Sequence, residues 1–437
     1  MPAWHLTVIA AALMGHAASE IVVPSASAAC AECHARVSPG IVQDWRLSRH
    51  AGVEVACVDC HGREHTSAND AARASLPTPA TCAGCHPTQV AQFERGKHAR
   101  AWAATKAIPT FHNVQGGATN GPTGCPSCHR IGLKPQADTE ALGKAGAMHG
   151  QASCDACHTR HLFSVAEAQR PEACRNCHSG GEHMQWEAWT GSKHGIRNQL
   201  VSSGVLPAGA AAPKCQGCHM PQGDHAVRAP WGSLGMRLPL PEEPEWARDR
   251  ATLFRALGVL DANRGPGPRL RAVMDAEMAQ IDKIDYDIER GRLEAVCRGC
   301  HAQPFVREQL DQRDALLRDA DHTVAEAVRL VAPLFERGML PPTANGRFPD
   351  LVVTGKASPI ERVLAEMFFD LRARVIANGF HMSPAYVEAR VQLRRSLEEI
   401  RSAAELARRG SRAGTSAASD AQRSAARKLV PTSGRSP

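Results

Sequence analysis

Residues 171–195 read PEACRNCHSGGEHMQWEAWTGSKHG, and the pentapeptide CRNCH at 174–178 within them belongs to a repeated pattern. The same CxxCH pattern recurs as CAECH (30–34), CVDCH (57–61), CAGCH (82–86), CPSCH (125–129), CDACH (154–158), CQGCH (215–219) and CRGCH (297–301). These eight pentapeptides contain all 16 cysteines of the 437-residue chain. No cysteine is therefore left over to form a disulfide.

A CxxCH pentapeptide is the attachment signature of c-type haem, in which two thioethers hold the porphyrin and the histidine binds iron as proximal ligand. A zinc site would need paired sets of thiolate ligands, and a disulfide framework gives no reason for a histidine after every second cysteine. The sequence therefore predicts eight c-type haems. The predicted thioether cysteines are Cys30, Cys33, Cys57, Cys60, Cys82, Cys85, Cys125, Cys128, Cys154, Cys157, Cys174, Cys177, Cys215, Cys218, Cys297 and Cys300. The predicted proximal ligands are His34, His61, His86, His129, His158, His178, His219 and His301.

The composition favours a mainly α fold in which short helices and loops surround the porphyrins. Only 4% of residues are aromatic, so the macrocycles themselves must supply much of the flat apolar interior. We expect an octahaem region at 30–305 and a C-terminal helical domain at 306–408, with helices at about 309–337, 358–378 and 384–408. The helical domain carries no haem motif and is expected to act as a cap or an oligomer interface.

The two ends of the chain are expected to lie outside the folded body. Residues 1–29 contain a short apolar stretch and small residues before Cys30, which predicts an export signal despite the lack of an early Lys or Arg. Because c-type haem is attached outside the bacterial cytoplasm, the protein is expected in the periplasm. Much of the net charge of +7 lies near the C-terminus, and 409–437 is predicted to be a basic disordered tail. We expect no nucleic-acid partner.

A low-spin c-type haem takes a second, distal histidine, and the sequence offers candidates. WRLSRHA (45–51), FERGKHA (93–99) and WTGSKHG (189–195) each place a histidine five residues after an aromatic residue. An arginine or lysine beside that histidine could meet a haem propionate. The predicted distal ligands are His50, His65, His98, His112, His161, His194 and His225. Seven distal ligands for eight irons leave one iron open to a small substrate.

Several stretches between the haem motifs resemble the octahaem hydroxylamine oxidoreductase family over about residues 30–405. They are TFHNVQGGATNGPTGCPSCH (110–129), CDACHTRH (154–161), PEACRNCHSGGEHMQWEAW (171–189), CHMPQGDHAVRAPWGSLGMRLPLP (218–241) and GFHMSPAYVEA (379–389). The resemblance implies a periplasmic homotrimer whose fourth haem, held by Cys125 and Cys128 with His129 as proximal ligand, is catalytic and lacks a distal ligand. It also implies a catalytic acid–histidine pair, which here is Glu182 and His183 where the family usually has Asp–His.

Family members that oxidise hydroxylamine cross-link a C-terminal tyrosine of a neighbouring subunit to the catalytic porphyrin. The matching residue is Tyr386, one of only two tyrosines in this chain. The aromatic residues expected just after it are replaced by VEARVQL, so the alternative is a tyrosine that packs at the subunit interface without a cross-link. Relatives without the cross-link favour reduction of nitrite or hydroxylamine.

Three functions remain open at this point. The leading hypothesis is an oxidoreductase acting on hydroxylamine or a related small nitrogen compound, with electrons passed to a soluble or membrane-bound cytochrome or a quinone-reducing partner. A second is an electron conduit in which all eight irons have two protein ligands and His183 is itself a distal ligand. A third, reduction of sulfur oxyanions, typically uses a lysine-ligated haem, to which the motifs here do not point.

Overall fold

The computed structural model describes residues 25–107, 126–144, 153–180, 183–232, 234–279, 283–352 and 357–428. Throughout these ranges the regular secondary structure is helical, with no strand beyond isolated bridges, which confirms the mainly α prediction. The chain forms two compact units, residues 1–76 with 158–165 and residues 77–157 with 166–437. The predicted residues His112, Cys125 and Glu182 lie outside the described ranges.

The smaller unit consists of short helices around the first two CxxCH motifs. These are α1 (Ala28–Val37), α2 (Pro39–Leu47), α3 (Arg49–Gly52) and α4 (Cys57–His61). Pro39 begins α2, a position where the missing N–H of proline costs nothing. Ser48 caps α3 by accepting a hydrogen bond from the Ala51 amide. The result places His50, within α3, at a fixed position soon after Trp45.

The haem-dense part of the larger unit also contains short helices. They are α5 (Pro79–Ala83), α6 (Pro87–Glu94), α7 (Ala101–Ala107), α8 (Pro126–His129), α9 (Gln136–Lys144), α10 (Val165–Ala168), α11 (Glu172–Arg175), α12 (Gln185–Thr190), α13 (Lys193–Ser202) and α14 (Cys215–His219). Ser192 caps α13 through the Gly195 amide, as Ser48 caps α3. The related WRLSRHA and WTGSKHG stretches therefore present His50 and His194 in the same way, each in the first turn of a capped helix.

The remainder of the larger unit has longer helices. They are α15 (Pro244–Ala256), α16 (Leu270–Asp275), α17 (Lys283–Arg298), α18 (Gln303–Glu336), α19 (Pro359–Glu366), a π-helix (Met367–Arg372), α20 (Ala373–Phe380) and α21 (Tyr386–Lys428). The helix expected at 309–337 begins earlier, at Gln303. The sequence predicted disorder from residue 409, whereas α21 continues to Lys428, because Ala and Arg in this segment have high helix propensity. Among the described helices, none combines the length and apolar character needed to cross a membrane.

A buried ion network joins three elements of this helical part. Asp321 on α18 accepts hydrogen bonds from Trp246 Nε1 (2.7 Å), Arg250 Nε (2.9 Å) and Arg372 Nε (2.7 Å). Both arginines also donate to the Gly235 carbonyl. Burial by itself would raise the pKa of Asp321, but Arg250 and Arg372 outweigh it and hold that pKa below its ordinary value. The network ties α15, α18 and the π-helix together.

Candidate haem ligands and catalytic site

Pairs of histidine rings face each other at the spacing that a six-coordinate iron requires. A metal–imidazole bond is about 2 Å long, and the ring centre lies about 1 Å beyond its nitrogen, so two ligands on opposite sides of one iron have ring centres about 6 Å apart. Outside the fourth motif, five CxxCH histidines have such a partner: His34 with His65 (6.1 Å), His61 with His161 (6.1 Å), His178 with His98 (5.9 Å), His219 with His381 (6.3 Å) and His301 with His194 (6.1 Å). The side chains present thus fit haem iron with two axial imidazoles.

The ring nitrogen that would not bind iron is engaged in several of these histidines. Among proximal candidates, Nδ1 of His61 donates to a backbone carbonyl at 3.0 Å, and Nδ1 of His219 does the same at 3.0 Å. Among distal candidates, Nδ1 of His65 lies 2.8 Å from the Asp70 carboxylate and Nδ1 of His381 donates to a carbonyl at 2.7 Å. Such contacts fix the ring and its tautomer, leaving Nε2 available for the metal.

Burial keeps several of these rings neutral. Removal from water, together with the neighbouring His178, lowers the pKa of His98 to about 4. The pKa of His381 is likewise lowered to about 4, chiefly by burial and then by His219. Burial also lowers the pKa of His161 and His194. A neutral imidazole retains the lone pair that iron binding needs, so these four residues are suited to the ligand role at neutral pH.

Sequence reasoning missed His381 as a ligand candidate. It lies at the end of α20, and its ring faces that of His219, more than 160 positions earlier in the chain. No haem motif lies near it in sequence, and GFHMSPAYVEA drew attention to Tyr386 instead. Only the packing of α20 against α12, with the Asn378 amide 3.6 Å from Met184 Sδ, brings it to the haem region.

For two further predicted distal ligands, His50 and His225, the structure shows a contact with a residue that follows a haem motif. His50 lies against Phe163, with ring centres 5.2 Å apart. The backbone amide of His225 donates to the side chain of Gln92 (3.2 Å) on α6, the helix that follows the third haem motif. His225 therefore lies beside α6, the helix that directly follows His86, although in sequence it comes only six residues after His219.

Contacts between cysteines of different motifs show which haem attachment points are adjacent. In the larger unit, Cys82 contacts Cys154, Cys174 contacts Cys215, and Cys128 contacts Cys177. Cys218 lies near both cysteines of the motif at 297–301. The third haem motif is therefore next to the fifth, the fourth next to the sixth, the sixth next to the seventh, and the seventh next to the eighth.

The imidazole of His183 lies between two CxxCH histidines. Its ring centre is 5.9 Å from that of His129 and 6.4 Å from that of His178. His178 already faces His98 at 5.9 Å, so His183 is a third ring beside it. The loop that carries His183 is closed by hydrogen bonds from the Gly180 amide to Glu187 Oε1 (3.1 Å) and from the Trp186 amide to the His178 carbonyl (2.8 Å). These bonds hold His183 near the fourth and sixth haem motifs together.

The two tyrosines occupy different environments. Tyr386 begins α21 and is half-buried, with the Arg313 guanidinium 5.9 Å from its ring centre. Tyr286 is buried in the helical part, between Trp231 (4.8 Å between ring centres) and the Arg237 guanidinium (4.5 Å). Of the two, Tyr386 is therefore the one with ring surface available to a second molecule.

Comparison with known proteins finds both a matching family and a matching relative. The family described as seven times multihaem cytochrome CxxCH matches residues 53–228. A probable nitrite reductase–hydroxylamine oxidoreductase fusion protein of Kuenenia stuttgartiensis is 26% identical over 394 residues, covering 78% of this chain and 42% of that protein. This chain therefore spans less than half the length of that relative.

Two solved structures share the fold. One is the Kuenenia stuttgartiensis reducing HAO-like protein complex Kustc0457/Kustc0458, with a TM-score of 0.63 at 21% identity, covering 89% of this chain and 86% of the other. The second is described as a hypothetical multiheme protein, with a TM-score of 0.59 at 17% identity, covering 88% and 96% of the two chains. The similarity extends over both the haem-dense part and the C-terminal helices.

Proposed function

We propose that this chain is a periplasmic oxidoreductase with eight c-type haems, because a multihaem cytochrome family matches residues 53–228 and a reducing HAO-like protein complex shares its fold. It acts on hydroxylamine or a related small nitrogen compound at the haem attached through Cys125 and Cys128. The other seven haems relay electrons between this site and an external electron partner.

The position of His183 is the observation that carries the proposal. His183 follows the sixth motif by five residues in sequence, but its ring faces that of His129 in the fourth motif, with 5.9 Å between ring centres. It therefore stands on the side of the fourth haem motif where a substrate would bind. His98 occupies the corresponding place opposite His178, which leaves His183 unneeded as a ligand of the sixth haem.

The bound haem would supply the substrate-binding iron and the path for electrons. Interconversion of hydroxylamine and more oxidised nitrogen species moves protons together with those electrons, so a group that exchanges protons near neutral pH is required. His183 holds and releases these protons, and Glu182, the acid of the pair that the resemblance implies, is the second proposed catalytic residue. The loop hydrogen bonds at Gly180 and Trp186 keep the imidazole in place during turnover.

The distal ligands follow from the ring pairs. We assign His65, His161, His98, His381 and His194 to the first, second, sixth, seventh and eighth haems. His225 serves the third haem, whose following helix it contacts. By elimination, we assign His50 to the fifth haem. These seven assignments leave the fourth iron open and leave His112 without an iron.

An electron conduit is the competing function, and one observation favours it. The 5.9 Å between His129 and His183 is also the span of a coordinated pair, in which case all eight irons are closed. We expect the purified protein to show one high-spin haem in eight by electron paramagnetic resonance and to bind one carbon monoxide when reduced. A protein with eight low-spin haems and no carbon monoxide binding would contradict the enzymatic proposal.

Reduction of nitrite or hydroxylamine is the second alternative for the same site. The similar proteins include a probable nitrite reductase–hydroxylamine oxidoreductase fusion protein and a reducing HAO-like protein complex, and the aromatic residues expected after Tyr386 are absent. A haem cross-linked to Tyr386 would show an absorption band distinct from ordinary c-type haem in the reduced protein, and Tyr386→Phe would remove it. The band indicates hydroxylamine oxidation, and its absence indicates reduction.

We also propose that the protein is periplasmic and forms a homotrimer. Periplasmic localisation matches the site of c-type haem attachment and the export signal expected at 1–29. A homotrimer would bring the exposed side of Tyr386 to a neighbouring subunit's fourth haem. Sedimentation of the mature protein tests the trimer, and fractionation of the expressing cells tests the compartment.

A further inference from the structure

Residues 98–102, which we call the bridging segment, contact two haem sites at once. At its start, the ring of His98 faces that of His178 at 5.9 Å, the geometry proposed for the sixth haem. Three residues later, the carbonyl of Ala101 accepts a hydrogen bond from Nδ1 of His129 (2.8 Å), the proximal histidine of the fourth haem motif. The segment consists of a short 3-10 helix, His98–Arg100, and the first two residues of α7, so continuous helical backbone joins these two contacts.

Residues that follow His129 hold one side of the bridging segment. The Leu133 amide donates to the Ala99 carbonyl at 3.0 Å. Gly132 packs so closely that a Cβ added there would lie 2.2 Å from the Trp102 amide nitrogen. Real Cβ atoms do not approach backbone atoms to that distance, so a side chain at 132 would force the segment and the chain after His129 apart.

A single carboxylate holds the other side. Glu277 Oε2 accepts from Lys97 Nζ at 3.1 Å, directly before the segment, and Glu277 Oε1 accepts from Arg100 Nε at 3.2 Å within it. The carboxylate is 31% exposed, so these bonds are partly shielded from water. Glu277 is about 180 residues away in sequence and contacts neither His129 nor His178 in any bond the structure shows.

We propose that Gly132 and Glu277 are positioning residues that set, through the bridging segment, the proximal hydrogen bond of the fourth haem and the distal ligand of the sixth haem together. A hydrogen bond to the outer nitrogen of an iron-bound imidazole changes its basicity and orientation, and thereby the properties of the metal. Because one backbone carries both groups, a displacement alters both haems. The inference rests on the proposed assignment of His98 to the sixth haem and of substrate binding to the fourth.

The test compares two carboxylate variants in the fully haem-loaded protein. Glu277→Gln keeps the size of the side chain and weakens both ion pairs of Glu277. The control is Asp275→Asn, two residues earlier, which weakens only the exposed ion pair between Asp275 and Arg271. Electron paramagnetic resonance and spectropotentiometric titration are recorded for all eight haems. The signal altered or lost in His129→Met identifies the fourth haem, and the signal altered in His98→Met identifies the sixth.

We expect Glu277→Gln to shift the signals and midpoint potentials of the fourth and sixth haems together and to leave the other six haems unchanged. Asp275→Asn should shift none of the eight. Glu277→Asp should restore part of the shift, and Gly132→Ala should produce a larger shift of the same two haems. A change in only one of them, in neither, or in most of the eight overturns the inference. Should the fourth haem prove six-coordinate, the proposed function fails, whereas the paired shift would still be seen.

Discussion

The CxxCH-rich part of the chain and its C-terminal helices acquire their interiors in different ways. Among the described residues, the largest fully buried side chains, which include Phe254, Phe335, Phe368 and Leu253, all lie between residues 236 and 372. By contrast, every motif cysteine that the structure describes is at least partly exposed. The helices bury their own side chains, whereas the haem-dense part exposes the cysteines to which porphyrins would be attached. A region whose core is a cofactor needs short helices and precise ligands more than it needs large apolar residues.

Removal of haem should give the largest difference between the two parts. When the chain is produced without c-haem attachment, we expect residues 30–232 to lose their fold, because cofactor binding supplies their folding free energy. Helices α18 to α20 should stay folded, since their core is made of side chains. Limited trypsin digestion should cleave the first part at least about tenfold faster than α18. Equal resistance of both parts would show that the haem-dense part has a sufficient core of its own.

Breaking the buried ion network should destabilise the helical part alone. Asp321→Asn leaves the fully buried Arg250 and the nearly buried Arg372 without their shared counter-charge. Loss of one partner of a buried ion pair typically costs about 3–5 kcal/mol. Chemical denaturation followed by far-ultraviolet circular dichroism measures this loss. The haem absorption spectrum in native buffer should remain that of the parent protein, and a changed spectrum would mean that the two parts do not hold their interiors independently.

Replacement of His183 should affect catalysis instead of stability. For His183→Asn we expect kcat with hydroxylamine or nitrite to fall about a hundredfold, since a general acid or base typically contributes 10²- to 10⁴-fold. The matched control is His322→Asn, which removes an imidazole paired with the Asp249 carboxylate at 2.9 Å in the helical part. This control should keep the parent kcat. Similar rates for both variants would argue that His183 takes no part in proton transfer.

The smallest effect is expected at Asp319, two residues before Asp321. Its carboxylate pairs with Arg390 and Arg394 on α21 but is 30% exposed. Partly solvated ion pairs contribute at most about 1 kcal/mol, so Asp319→Asn should lower the free energy of unfolding by no more than that. Salt should weaken the effect further. A loss as large as that of Asp321→Asn would show that burial is not what makes the Asp321 network strong.

The sequence predicted the haem motifs more completely than it predicted the C-terminal helices. CxxCH motifs mark haem attachment because the covalent chemistry is local, and proline and serine at helix starts are equally local signals. The sequence also located α18 approximately from its apolar spacing, and it predicted helices at 358–378 and 384–408, where the structure has α19 to α20 and α21. It missed the π-helix at Met367–Arg372, the continuation of α21 past residue 409, and His381 as the ring that faces His219.

The amino-acid sequence by itself determined that the chain carries haem, how many motifs it has, and that its fold is helical. These properties depend on residues a few positions apart. The tertiary structure decided which imidazole faces which, that His183 lies near both His129 and His178, and that one short segment contacts two haem sites. Such pairings join residues tens to hundreds of positions apart, and only the packing of one helix against another brings them within bonding distance.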